Sequence, residues 1–105
     1  MKNTVTNTIV SGNLGDGFDD NNRAAELLGQ YEEQKLKEYF DKHYPDLEVE
    51  IETHIMRNCE GAGGGIQVDI YDNEDLIVSD IERELNYLVD TWWSAWLDTD
   101  EALTV

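Results

Sequence analysis

The chain has few basic residues, one proline, one cysteine and no long apolar run. Seven lysines and arginines stand against 24 aspartates and glutamates, a formal net charge of −17 over 105 residues. So negative a chain is excluded from direct recognition of nucleic acid or anionic membrane, because phosphate binding needs the opposite sign. Cys59 has no second cysteine with which to form an internal disulfide, which fits a reducing compartment. It reads as a free thiol at a strand end. No stretch approaches the roughly 20 apolar residues of a membrane span, and the start carries no signal-peptide pattern. The expectation is a soluble, cytoplasmic protein. His43 and His54 have no sequence partner for nucleophilic chemistry, and no catalytic motif occurs anywhere.

The remaining composition is that of a folded domain. Hydrophobic residues make up 40% of the chain and aromatics 10%, which argues against disorder throughout. The length suits one domain, residues 1–105, with a modest core. The charge is unevenly placed. Residues 1–45 hold eight acids and five bases, a net of −3, whereas residues 46–105 hold sixteen acids and two bases, a net of −14. The partner expected for the second part is basic, and the charge itself keeps the chain soluble while opposing compaction.

Residues 3–11 are rich in β-branched types and read as an N-terminal arm or edge strand, with residues 1–19 completing this arm and its loop. Residues 12–22 are a turn-rich connector. Read as a calcium loop from Asp16, it places Phe18 at the third ligand position, so the EF-hand pattern fails. A helix is expected over residues 20–44. Ala24, Leu27, Leu28 and Tyr31 share one face, and Leu36, Tyr39 and Phe40 continue it with a drift. Gly29 between the two sets allows a kink or break. Asp and Asn residues supply the N-cap, and Pro45 ends the helix.

The region 46–78 reads as an acidic β-hairpin or meander. From residue 47 to 57, Leu47, Val49, Ile51, Thr53 and Ile55 point one way, and Glu48, Glu50, Glu52, His54 and Met56 the other. A glycine-rich turn over 58–65 follows. It lacks a P-loop lysine and leads into no helix, so a hairpin connection is the better account. The second strand runs over 66–71, with Ile66, Val68 and Ile70 inward and Gln67, Asp69 and Tyr71 outward. Residues 72–75 form an acidic turn, and residues 76–78 are a short third strand or the start of the next helix. That helix spans residues 79–98. Ser79 and Glu82 have capping-box spacing, and Ile81, Leu85, Leu88, Val89, Trp92 and Trp96 form an apolar stripe. Trp92 and Trp96 read as core, and Trp93 on the flank as a candidate partner anchor. Residues 99–105 are an acidic tail. The expected fold is α+β: a small antiparallel sheet of two or three strands covered on one face by two helices, in the order α-β-β-(β)-α with an optional N-terminal strand.

Glutamate is a poor strand former, and like charges on neighbouring strand positions repel. Glu48, Glu50 and Glu52 nevertheless recur every second residue, roughly 6.8 Å apart on a strand. Asp69 is expected on the same face, and Asp72, Glu74, Asp75 and Asp80 extend the charge around one end. Each acid alone is best read as surface solvation. Held together on a rigid strand, they resemble a row of phosphates, which in duplex DNA recur about every 3.4 Å per strand. Paired carboxylates for acid–base catalysis need a cleft and a raised pKa, so no enzyme activity is expected. No recognised ligand spacing supports a metal, and no cofactor is expected.

The acidic strand over 46–52, the acidic turn over 72–75 and the final helix over 79–97 resemble the layout of small acidic DNA-mimic inhibitors of phages and mobile elements, of anti-CRISPR or anti-restriction type. The resemblance covers about half the chain and is one of charge and element order, without signature residues. It implies a basic nucleic-acid-binding protein or nuclease complex as partner, action in the host-cell cytoplasm, and a monomer or weak dimer. Two other readings stay open: an immunity protein that neutralises a basic toxin nuclease, and a structural protein that self-associates through the second helix. Genome neighbourhood separates the first from an inhibitor, and salt-resistant oligomers identify the second.

Overall fold

The computed structural model describes residues 2–15, 17–57 and 64–104. Asp16, Cys59 and most of the glycine-rich turn lie outside the described residues. The elements are β1 (Thr4–Val10), a 3-10 turn (Ser11–Leu14), α1 (Asn21–His43), β2 (Glu50–Met56), β3 (Gly65–Asp69), α2 (Val78–Leu97) and a closing 3-10 turn (Ala102–Thr104). Two helices and a three-stranded sheet make the α+β fold expected from the sequence.

The pairing inside the sheet differs from expectation. The strand order is β2-β1-β3, so the N-terminal segment is the central strand and neither an arm nor an edge. β1 pairs parallel with β2, placing Thr4 beside Glu50 and Ile9 beside Ile55. It pairs antiparallel with β3, placing Val5 beside Val68. The sheet is therefore mixed rather than antiparallel. The physical reason lies in the connections. α1 stands between β1 and β2 in the chain, and a helical crossover returns the chain parallel to its start. β2 and β3 run in opposite directions, but they flank β1 instead of forming a hairpin. The segment over residues 76–78 adds no third strand to this region; Val78 already belongs to α2.

α1 begins as expected, with Asp20 Oδ1 accepting from the Arg23 N–H at 3.1 Å. It runs unbroken through Gly29. Glycine is needed there for close approach rather than for a kink, since a Cβ would lie 2.9 Å from Thr53 Cγ2. α2 departs from the capping-box expectation. Its N-cap is Ile77, whose hydrocarbon side chain has no group to cap with; the Asp80 and Ile81 N–H groups bond the Ile77 carbonyl at 3.0 and 3.3 Å. Ser79 thus lies inside the helix. Glu82 is drawn away to the Val68 N–H, 3.1 Å from its Oε2.

Both helices cover one sheet face. Val5, Ile66 and Val68 pack with Leu36, Tyr39 and Phe40 of α1 and with Ile81, Leu85 and Trp92 of α2. A second cluster joins Ile9, Ala24, Ala25, Leu27, Leu28, Trp96 and Ala102. Trp92 and Trp96 are core residues, as their spacing predicts. Trp93 is half-buried and packs on Phe18 and Trp96, with ring centroids 6.1 and 5.9 Å away. Among the described residues no helix is long and apolar enough to cross a membrane.

Candidate functional site

The uncovered face of the sheet carries the acids. β2 alternates as the sequence predicts: Glu50, Glu52, His54 and Met56 are exposed, while Ile51, Thr53 and Ile55 turn toward the helices. Glu48 is exposed just before the strand and continues the row. The register supplies what the sequence hides. Glu50, Thr4 and Asp69 lie side by side across the three strands, followed by Glu52, Thr6 and Gln67. Asp69 therefore shares the face, but two strand spacings from Glu50, about 9.6 Å. Between the acids runs a threonine row, Thr4, Thr6 and Thr8, all partly exposed. Short hydroxyl side chains leave the flanking carboxylates standing above the sheet.

Asn3 ties the acidic row to the acidic turn. Its Nδ2 donates to the Glu48 carbonyl at 3.0 Å and to Asp72 Oδ1 at 2.8 Å, and its Oδ1 accepts from the Tyr71 N–H at 2.9 Å. The side chain is buried, so these three bonds replace its lost contacts with water. They set Glu48, Glu50 and Asp72 around one open cleft of about 510 Å³, which Lys2 also lines. Glu74 and Asp75 are exposed on the turn beyond it. Asp80 stands in the first turn of α2, where its charge suits the helix dipole, and it pairs with Arg83 at 3.3 Å. The structure thus brings Glu48, Glu50, Glu52, Asp69 and Asp72 onto one surface. Glu74, Asp75 and Asp80 border it.

Few cations compete for this surface. Lys2 Nζ lies 3.5 Å from Glu50 Oε2, and His54 Nε2 lies 3.5 Å from Glu52 Oε2. Both pairs are solvent-exposed, and such pairs contribute little and exchange readily. Among the described residues, no group of three or more His, Cys, Asp or Glu is placed to hold a metal ion.

A second location is chemically distinct. Glu32 on α1 is 2% exposed and accepts one hydrogen bond, from Asn7 Nδ2 of β1 at 3.1 Å. Burial pushes its carboxyl up to about 7, outweighing the lowering effect of Asn7. Both residues line a cavity of about 570 Å³ with Leu28, Asn86, Asp90 and Trp93. The arrangement offers one carboxyl that titrates near neutral pH. Elsewhere in the core, Tyr39 donates to Glu84 Oε2 at 3.0 Å. Its own burial and then the Glu84 carboxylate push the phenol well above its ordinary range.

Asn3, the threonine row and Glu32 were not singled out by the sequence reading. For Glu32 a signal existed: it stands four residues from both Leu28 and Leu36, in the middle of the buried stripe of α1. No protein-family model, no curated protein and no solved structure is significantly similar to the chain.

Proposed function

We propose that this chain is an acidic nucleic-acid mimic that inhibits a nucleic-acid-binding defence complex or nuclease by occupying its basic surface. The observation that carries the reading is the outward row of Glu48, Glu50 and Glu52 on an uncovered sheet face, with Asp69 across it and Asp72 tethered beside it. Like charges are unfavourable neighbours, and a fold that only needed a solvated face gains nothing from concentrating them. A preformed strand, with Glu48 just before it, presents them with no backbone left to order on binding. The role is one of binding rather than catalysis. The partner is a basic protein, and a cytoplasmic place of action fits such a partner.

Association of this kind is fast and falls steeply with ionic strength. Affinity capture from nuclease-bearing cells at low salt, followed by salt-step elution, is the test. Recovery of a basic nucleic-acid-binding complex that leaves the column as salt rises supports the reading. Capture only of partners that resist high salt contradicts it.

A further inference from the structure

The two edges of the sheet are finished differently. On β3 the outward backbone groups are occupied by two side chains one turn apart on α2. Glu82 takes the Val68 N–H at 3.1 Å. Asn86 takes the Ile66 N–H at 2.9 Å and donates to the Ile66 carbonyl at 3.0 Å. β2 forms the other edge. The Glu50 N–H donates to the Asn3 carbonyl at 3.0 Å, so alternate residues from Glu50 onward direct their backbone groups to β1. The N–H and C=O groups of Ile51, Thr53 and Ile55 then point away from the sheet. Among the described residues, neither a strand nor a side chain pairs with them. Beside this edge, a shallow groove of about 210 Å³ runs between α1 and β2, lined by Gln30, Glu33, Thr53 and Ile55 among others. Thr53 Oγ1 is buried there with no hydrogen-bond partner.

We propose that the free edge of β2 receives an extended segment of the basic partner protein, which adds a fourth strand to the sheet. The proposal deepens the mimic reading and rests on it. Open edges are ordinarily a liability that chains blunt with charge, and the charge here also selects the occupant. Side chains of an added strand on the outer face would neighbour Glu50 and Glu52, and those on the inner face would reach Glu33. Lysine or arginine at alternate positions would all fall on the outer face, opposite Glu50 and Glu52, and the apolar residues between them would lie over the groove of Thr53 and Ile55. A second copy of β2 would bring glutamates opposite glutamates, which is unfavourable. Backbone pairing supplies affinity in such strand addition, and the flanking side chains supply selection.

The test uses two synthetic peptides of equal charge: a capped heptapeptide alternating Lys and Val, and the same peptide N-methylated at every residue, which has no backbone N–H left to donate to a strand on either edge. Amide hydrogen exchange is followed at Ile51, Thr53 and Ile55. The expected result is exchange slowed about tenfold at those amides when the unmodified peptide is present at ten times its Kd, with weaker binding of the N-methylated peptide. Equal binding of both peptides, with exchange unchanged at the three amides, overturns edge pairing and leaves the acidic-face reading standing. Binding of neither peptide at low salt counts against both. Protection that grows with protein concentration in the absence of peptide assigns the edge to a second copy and overturns the proposal.

Discussion

Replacing Glu32 with glutamine should stabilise the protein, and only above mildly acidic pH. Glu32 is 2% exposed and bonded to a single neutral donor, Asn7. Its folded-state pKa is raised from 4.5 to about 7. A carboxyl raised on folding binds its proton more tightly in the native state, so its contribution is fully present below pH 4.5. It is lost as pH rises through 7. The difference corresponds to about 3 kcal/mol, at 1.36 kcal/mol per pK unit. The substituted amide would keep an acceptor for Asn7 and carry no charge. The measurement is urea unfolding of the parent and Glu32→Gln proteins at pH 4.5, 6, 7 and 8. The variant's advantage should grow by roughly 3 kcal/mol across that range and level off above pH 7, at unchanged denaturant slope. Repulsion among the remaining acids affects both proteins alike, so the difference isolates this carboxyl. A flat difference across the range refutes the assignment of a buried, near-neutral Glu32. So does a parent that gains on the variant as pH rises.

Three further outcomes follow from packing and hydrogen bonding. Gly29→Ala should destabilise by about 1 kcal/mol despite alanine's better helix propensity, because the new methyl meets the stiff Thr53 Cγ2. Thr53→Ser, which removes that methyl, should recover most of the loss in the double variant, as read by urea unfolding. Asn86→Ala orphans the N–H and C=O of Ile66 and should lower stability by about 1–3 kcal/mol, with faster amide exchange at Ile66 as the local signature. Asn3→Ala removes three bonds at one buried side chain. It should lower stability by a similar amount, about 1–3 kcal/mol, and amide exchange at Tyr71 should accelerate.

What the sequence made legible was whatever repeats at a short period. The alternation from Leu47 to Met56 and the stripe from Ile81 to Trp96 each report one face of one element, and both appear in the structure as read. β1 was misplaced because its alternation is weak: Thr4, Thr6 and Thr8 face outward, and the inward face mixes Val5 and Ile9 with the polar Asn3 and Asn7. Its burial depends on partners that no local window contains. Asn7 is satisfied by Glu32, 25 residues away, and Asn3 by groups 45 to 69 residues away. The opposite directions of β2 and β3 were legible, but the insertion of β1 between them was not, since alternation says nothing about which strands are neighbours. Ser79 and Glu82 had capping-box spacing, but the unpaired edge of β3 claims Glu82. Within the candidate surface, the acids on β2 could be read from the sequence. The distance to Asp69 and the tether on Asp72 belong to the register.

The central claim is that Glu48, Glu50 and Glu52 act together as a phosphate-like row. It is tested most directly by competition. A basic nucleic-acid-binding complex recovered by affinity capture is loaded with labelled nucleic acid and titrated with the parent chain or with the Glu48→Lys, Glu50→Lys, Glu52→Lys triple variant. Close charge pairs across interfaces couple by about 1.5 kcal/mol or more, so three reversals should weaken displacement by roughly a thousandfold or more. The melting transition of the variant should be retained, because the three side chains are exposed. Displacement by the parent that weakens with salt, and is lost in the triple variant, is the predicted result. A folded triple variant that displaces the nucleic acid as well as the parent does would contradict the account.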